Sequence, residues 1–200
     1  IAAVEQMRDW SHAEPSGQLP IRAAVAEGTE VPMWILGSTT NGARLAAQLG
    51  MPFSVASHFA PFQYLQALQV YRENFTTTGE AAQIEQPHTM VGVNVVIAPT
   101  DAEAEHLFTT NMQQFLGIVT GQRMKTQPPR DLAGRYPEHL MQQVQQTLSI
   151  RAVGSPTSVV AQLEEIVEAT EADELILTAN YFDPEHRIRG IEMLAEAWGL

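Results

Sequence analysis

The sequence predicts an α/β fold in which parallel strands alternate with helices. Short apolar runs at residues 33–36, 53–57, 89–97 and 174–178 are each followed by a stretch with the spacing of a helix. No two of these runs are joined by a short hairpin turn, so antiparallel pairing is not indicated. The run at residues 89–97 is almost continuously apolar and β-branched, which is typical of a parallel strand that is covered on both faces.

The composition excludes several classes of protein. Hydrophobic residues make up 44% of the 200 residues and charged residues 17%, which indicates a globular chain. The formal charge of −12 opposes binding to phosphate backbones, so we expect no nucleic-acid partner. No apolar run approaches the ~20 residues of a membrane span, and we expect no membrane contact. The absence of cysteine is compatible with the cytoplasm, which is the location we expect.

The first 50 residues predict a helix, an irregular segment, a strand and a second helix. Residues 1–10 have helical spacing without an N-cap, as in a helix already under way, so we expect the chain to be a piece of a longer protein. Residues 11–32 are rich in Pro, Gly and charge and predict an irregular excursion. A strand over residues 33–36 then leads into a helix over residues 41–49, which ends at Gly50.

The middle of the chain predicts two helices on either side of its most apolar strand. After the strand over residues 53–57, a helix runs from Pro61 to about residue 75. Leu65, Leu68 and Tyr71 are expected on one face of this helix. Residues 76–87 are polar and predict a loop. Beyond the strand, a helix reaches about Val119, and its buried side is expected to hold Leu107, Phe108, Phe115 and Leu116.

The last third predicts a long loop, three helices and a final strand. Residues 120–137 contain two adjacent prolines and form a loop of a length that often lies over a site. Helices follow over residues 138–150 and from Pro156, a residue type favoured at the first helical position. The last strand covers Glu174–Thr178, and a final helix starts at Pro184. The face of this helix expected to point inward holds Ile188, Ile191, Leu194 and Ala195.

The turn between the first strand and its helix has the composition of an anion site. Gly37 and Gly42 allow close backbone approach, while Ser38, Thr39 and Asn41 add short polar side chains. The first N–H groups of a helix have no intrahelical partner and carry partial positive charge, so such a turn can bind a phosphate. The alternative is equally ordinary, because Ser, Thr and Asn are common N-caps in turns that bind nothing.

Several segments in the same order resemble one known family. They are residues 34–50, the sequence A-S-H-F-A-P at residues 56–61, and residues 90–96, 153–156 and 172–178. Together they are similar to the bacterial luciferase-like flavin monooxygenases, in particular the single-component luciferase homologues. The resemblance covers nearly the whole chain. It implies a (βα) TIM barrel, of which residues 1–200 form a single domain that corresponds to the second half, strands five to eight with their helices.

The same resemblance implies a function and a set of site residues. Family members use reduced FMN and O₂ to oxygenate a small organic substrate; a separate reductase usually supplies the flavin, and two barrels usually pair, so we expect a homodimer or barrel pair. A deazaflavin in place of FMN stays open. The FMN phosphate falls on the turn described above, with Gly37, Ser38, Thr39, Asn41 and Gly42 as cofactor-binding residues.

Two neighbouring residues complete the implied site. Ser57 is expected to line the flavin ring or the substrate pocket, and His58 is the catalytic candidate, able to hydrogen-bond a flavin carbonyl or a peroxide oxygen. The alternative for His58 is a partly buried imidazole bonded to a backbone carbonyl. Two other functions stay open: a non-catalytic flavin-binding protein, and an inactive half-barrel that self-associates through open sheet edges.

Other polar clusters indicate less. Three histidines fall on polar positions and are expected at the surface: His12, His106 and His139. Asp183 and His186 have ligand-like spacing, but one carboxylate and one imidazole make a poor metal site, so we expect no metal. Basic residues in the loop region either close over an anionic ligand or are solvated: Arg123, Lys125, Arg130 and Arg135.

Overall fold

A computed structural model describes residues 1–13, 21–79 and 81–200. The chain divides into two compact units, each described by itself below. Unit 1 comprises Ile1–Val55 and Gln63–Met90, and unit 2 comprises Ala56–Phe62 and Val91–Leu200. Part of the predicted irregular excursion, residues 14–20, lies outside the described residues, and the described remainder of residues 11–32 contains turns without a helix or strand.

Helices and strands alternate along most of the described chain. The helices are α1 Ala2–Asp9, α2 Thr40–Leu49, α3 Tyr64–Asn74, α4 Asp101–Val119, α5 Glu138–Thr147, α6 Pro156–Thr170 and α7 Pro184–Trp198. The strands are β1 Ile35–Gly37, β2 Phe53–Val55, β3 Thr89–Ile97, β4 Arg151–Gly154 and β5 Glu174–Thr178. A 3₁₀ turn over Pro61–Gln63 precedes α3.

The structure confirms most predicted elements and corrects their limits. β3 and β5 have the predicted bounds, whereas β1 begins two residues later than predicted and β2 ends at Val55. Ser57 and His58 therefore lie in a turn beyond the strand. β4 was not predicted, because four residues that begin with an arginine carry little strand pattern of their own.

Unit 1 is built on two parallel strands. β1 pairs with β2 in a register that places Ile35 opposite Phe53 and Gly37 opposite Val55. α2 packs beside them and ends at Gly50, whose φ of 64° is the left-handed conformation that glycine adopts without strain. Below the strands, the buried Tyr71 hydroxyl donates to the Met51 carbonyl at 3.0 Å and accepts from a backbone N–H at 3.1 Å. The short strands are thus held by α2 and by Tyr71 of α3.

Unit 2 is built around β3. β4 runs parallel to the second half of β3, with Asn94 opposite Arg151 and Ile97 opposite Gly154, and β5 also pairs with β3. Helices α4 and α5 bury an apolar core against these strands, with Val96, Phe108, Leu116, Val144 and Leu148 at its centre. The predicted α/β arrangement with parallel strands is confirmed in both units.

The predicted loop over residues 120–137 is fixed to α4. The Thr110 hydroxyl donates to the Gln127 carbonyl, and the Gln113 side chain donates to the Pro128 carbonyl at 2.9 Å. The Thr109 hydroxyl accepts from the backbone N–H of Arg130 at 3.0 Å. These polar side chains along one helix hold three residues of the loop between 127 and 130, so this part of the loop is a packed element of unit 2.

Some apolar residues predicted to be buried are exposed. Ile188 and Ile191 on α7 are 58% and 48% exposed, so the prediction that they point inward is wrong. Ile176 and Leu177 on β5 are exposed as well. No helix in the part of the chain that the structure describes is long and apolar enough to cross a membrane.

Candidate functional site

The predicted anion turn lies between β1 and α2 in unit 1. Gly37 is the last residue of β1, Ser38 and Thr39 form the turn, and Thr39 is the N-cap residue of α2. Ser38 is half-buried, whereas Thr39 and Asn41 are exposed. The Thr39 backbone is extended, with φ −134° and ψ 165°, but its side chain makes no capping hydrogen bond among the described residues. The ordinary use of such a residue as a cap is therefore not realised here.

The two glycines of the turn pack against each other. A Cβ atom at Gly37 would lie 3.3 Å from the Cα of Gly42 and 3.3 Å from Cε2 of Phe53. A Cβ atom at Gly42 would lie 3.3 Å from the Cα of Gly37. The glycines thus let the first turn of α2 approach the end of β1 closely, over the Phe53 ring. This packing fixes where the helix N-terminus starts, just beyond the carboxyl end of the strand.

Three other helices have a capping or acidic side chain at the N-terminus, and α2 has none among the described residues. Its first turn contains no acidic residue. At α4 the Thr100 side chain accepts from a backbone N–H, and Asp183 does the same at α7. At α6 the Asp101 carboxylate accepts from the Ser155 N–H at 2.6 Å. Its hydrogen bonds to Ser155 and Ser158 lower the Asp101 pKa. Among the described residues, the positive end of the α2 dipole is therefore left uncompensated by a side chain.

Ser57 and His58 lie in unit 2, in the turn that follows β2. Ser57 is fully buried, and its hydroxyl donates to the Gly92 carbonyl at 2.6 Å. The hydroxyl is thus used to hold the turn against β3. The expectation that Ser57 lines a flavin ring stays a prediction.

The His58 imidazole lies against the backbone of Gly92. A Cβ atom at Gly92 would collide with the His58 Nδ1 and would lie 3.0 Å from its Cε1. Nδ1 is buried and has no hydrogen-bond partner among the described residues. Burial lowers the pKa of His58, so the ring is neutral near pH 7. Its ring also meets Phe59 edge-on, with centroids 4.7 Å apart. The alternative of a ring bonded to a backbone carbonyl is not realised within the described residues.

Asn94 is a site residue that the sequence reasoning missed. This buried side chain lies in the middle of β3; its Nδ2 donates to the His58 carbonyl at 2.5 Å, and its Oδ1 accepts from the Thr178 hydroxyl at 2.8 Å. It thereby links the turn after β2, β3 and the end of β5. An asparagine in a strand that is otherwise apolar was the available signal, because a buried amide requires partners.

The carboxyl end of β3 is closed by a tyrosine. The Tyr181 hydroxyl accepts from the Ile97 N–H at 2.7 Å and donates to the Ile97 carbonyl at 3.1 Å. Burial raises the pKa of Tyr181. The close approach depends on Gly190 of α7, where a Cβ atom would lie 2.5 Å from this hydroxyl oxygen. The carboxyl end of β3 is therefore used for packing.

The remaining candidate residues are exposed or have structural partners. His106, His139 and His186 are exposed, and His12 contacts Glu30 at 2.8 Å. Asp183 caps α7 through the Glu185 N–H. Among the loop cations, Arg123, Lys125 and Arg135 are exposed, while Arg130 is half-buried and donates to the Tyr136 hydroxyl at 3.0 Å.

Comparison with known families identifies the class of protein. The sequence matches the family described as Luciferase-like monooxygenase over residues 8–174, which is more than half of the chain. The chain therefore belongs to the luciferase-like monooxygenase family, as the resemblance in its segments predicted.

Two relatives give the extent of the similarity. The uncharacterized protein YvbT of Bacillus subtilis (strain 168) is 37% identical over 198 residues, which are 98% of this chain and 57% of YvbT. The luciferase-like monooxygenase of Escherichia coli (strain K12) is 36% identical over 192 residues, which are 95% of this chain and 56% of that protein. The chain thus spans somewhat more than half the length of these relatives.

Two solved structures have the same fold. The crystal structure of apo-MsnO8 aligns with a TM-score of 0.75 at 26% identity, covering 100% of this chain and 59% of that one. The oxygenating constituent of 3,6-diketocamphane monooxygenase from Pseudomonas putida, solved in complex with FMN, aligns with a TM-score of 0.52 at 20% identity, covering 83% and 48%. At that identity the second likeness shows the fold alone. The α/β fold class of the luciferase-like barrel proteins is therefore confirmed.

Proposed function

We propose that this chain belongs to a flavin-dependent monooxygenase that uses reduced FMN and O₂ to oxygenate a small organic substrate, and that the turn between β1 and α2 holds the FMN phosphate. The observation that carries the proposal is the N-terminus of α2, which has no acidic residue in its first turn and no side-chain cap within the described part of the chain. Uncompensated N–H groups at a helix N-terminus attract anions, and the phosphate is the anionic end of FMN.

Each residue of the turn has a role in holding a phosphate. The backbone N–H groups of the first turn of α2, including those of Asn41 and Gly42, supply donors and partial positive charge. Ser38 and Thr39 add hydroxyl donors, and Asn41 adds its side-chain amide. Gly37 keeps the turn close to the strand end through its contact with Gly42. The residues present therefore fit a phosphate.

The part of unit 2 that enters the proposal is the turn that carries Ser57 and His58. Bound reduced flavin supplies the reaction with O₂, while the protein supplies binding, orientation and exclusion of water. His58 is neutral because burial lowers its pKa, so it meets a ligand oxygen as a hydrogen-bonding group and not as a charge. Ser57 fixes the turn that carries His58 by donating to the Gly92 carbonyl.

The finer points of the proposal rest on the family resemblance. The chain corresponds to strands five to eight of a (βα)₈ barrel and forms one domain of it, which agrees with its 57% and 56% coverage of the longer relatives. FMN is the proposed cofactor and a deazaflavin the alternative, a separate reductase supplies it in reduced form, two barrels pair, and the protein acts in the cytoplasm.

The proposed phosphate-binding site is tested by adding one negative charge at the turn. Ser38→Asp places a carboxylate among the N–H donors, and we expect it to weaken FMN binding at least about tenfold, equivalent to about 1.4 kcal/mol. Gln48→Glu is the matched control, because it adds the same charge on an exposed position in the last turn of α2. FMN titrations followed by flavin fluorescence compare the variants. Equal FMN affinities of the Ser38→Asp and Gln48→Glu variants would reject phosphate binding at this turn.

A second candidate, an inactive half-barrel that self-associates, is favoured by the exposed apolar residues of unit 2. Ile176 and Leu177 on β5 and Ile188 and Ile191 on α7 are all more than one-third exposed. Parallel strands are normally covered on both faces, and β5 has no strand partner other than β3 among the described residues. Under this alternative the chain sediments as a dimer or larger species and leaves FMN fluorescence unchanged. A compact monomer would contradict it.

A further inference from the structure

The turn that carries His58 is held by two hydrogen bonds in unit 2. The Ser57 hydroxyl donates to the Gly92 carbonyl at 2.6 Å. Asn94 Nδ2 donates to the His58 carbonyl at 2.5 Å. These two bonds fix the backbone immediately before and at His58. The imidazole is therefore positioned by β3, to which both Gly92 and Asn94 belong.

The two nitrogens of the His58 ring have different surroundings. Nδ1 faces the Gly92 backbone, is buried, and has no hydrogen-bond partner among the described residues. The ring as a whole is half-buried, so Nε2 is the nitrogen left to meet a ligand. A neutral imidazole carries its proton on only one nitrogen. Nδ1 lacks a partner in either tautomer, but a proton on it would add a hydrogen to a nitrogen that already lies against the Gly92 backbone, whereas Nε2–H can be satisfied by solvent or ligand.

Asn94 is itself held in one orientation. Its Oδ1 accepts from the Thr178 hydroxyl at 2.8 Å, which places the amide nitrogen toward the His58 carbonyl. Each polar end of this buried side chain thus has a partner within unit 2. A buried asparagine with two fixed partners positions the groups that it bonds.

We propose that Asn94, oriented by Thr178, is a positioning residue that holds His58 as a hydrogen-bond donor through Nε2–H. His58 then selects an acceptor on the ligand, such as a carbonyl or peroxide oxygen, and does not take up a proton at Nε2. The identity of that ligand as flavin or oxygenated substrate rests on the proposed function. The state of the ring itself does not, because it is fixed by contacts within unit 2.

The proton position is measured by nitrogen NMR of the chain with ¹⁵N-labelled histidine, without any flavin. His58→Gln assigns the His58 signals among those of the six histidines. Above pH 7, we expect the His58 Nε2 to show the shift of a protonated nitrogen and Nδ1 that of a bare one. A protonated Nδ1, or a fast-exchanging mixture of the two tautomers, would overturn the proposal. Because no flavin is present, failure of FMN binding leaves this result unaffected.

The positioning role is measured in variants of Asn94 and Thr178. Asn94→Asp keeps the size and the acceptor but removes the donor to the His58 carbonyl, so we expect the His58 signals to become those of a tautomer mixture. Thr178→Val removes the hydroxyl and is expected to shift them in the same direction, while Thr178→Ser retains the hydroxyl and keeps the wild-type pattern. The other histidine signals report that each variant is folded. If Asn94→Asp does not fold, the two Thr178 variants decide the matter. Unchanged His58 signals in Thr178→Val and in any folded Asn94→Asp would overturn the role.

Discussion

Replacing Gly92 by alanine tests whether the His58 ring lies against the backbone of β3. The added methyl group would collide with Nδ1 and would lie 3.0 Å from Cε1 and 3.2 Å from Cγ of the ring. Three ring atoms would thus be closer than the 3.4–4 Å of ordinary van der Waals contacts, so the whole ring must move. Overpacking a buried position by one methyl group costs about 1–3 kcal/mol. We therefore expect Gly92→Ala to lower the free energy of unfolding by about that amount.

Urea denaturation followed by circular dichroism measures this loss, and a double-mutant cycle assigns its cause. In a chain of this size, each 1 kcal/mol corresponds to roughly 2–4 °C in Tm. His58→Ala removes the ring, so Gly92→Ala should cost at least about 1 kcal/mol less in that background. If Gly92→Ala is equally costly with and without the ring, the close contact between Gly92 and His58 is not the reason, and the placement of Nδ1 against β3 is wrong.

Three further variants test other parts of the structure. Tyr181→Phe leaves the Ile97 N–H and carbonyl without their side-chain partner, and urea denaturation should show a loss of about 1–3 kcal/mol. Hydrogen bonds to Ser155 lower the Asp101 pKa from 3.8. The stability that Asp101 contributes is therefore present above pH 3.8 and lost as the pH falls through the lowered pKa. Asp101→Asn should make the stability of the protein less dependent on pH in this acid range. The His58 pKa is lowered from 6.5 by burial, so stability is complete above that pH and declines as the pH falls toward the lowered value; His58→Gln should remove this decline, and an unchanged curve would contradict the burial of the ring.

The sequence predicted the long or strongly apolar elements best. β3 and β5 have their predicted bounds, because a run of β-branched and apolar residues indicates both that a strand forms and how long it is. β4 is different, since it depends on partners far along the chain. It pairs with β3, and the Gln162 side chain bonds both the N–H and the carbonyl of Val153. No local pattern contains that information.

Periodicity predicted which helix faces are apolar but not what covers them. The spacing of Ile188 and Ile191 describes a face of α7, and that face is exposed in the structure. The candidate site shows the same limit. Gly37 and Gly42 were recognisable as residues for close approach, but their partners turned out to be each other. Asn94 gave a local signal, yet its bonds to His58 and Thr178 join residues more than 30 positions apart.

The central proposal, that the N-terminus of α2 binds a cofactor phosphate, is tested most directly by comparing FMN with riboflavin, which lacks the phosphate. The helix dipole and charge-assisted hydrogen bonds together are worth about 2–4 kcal/mol. We therefore expect FMN to bind the wild-type chain at least about tenfold more tightly than riboflavin. Ser38→Asp should remove most of this difference while leaving riboflavin binding unchanged. Equal affinities of the wild-type chain for FMN and riboflavin would contradict a phosphate-binding site at this turn.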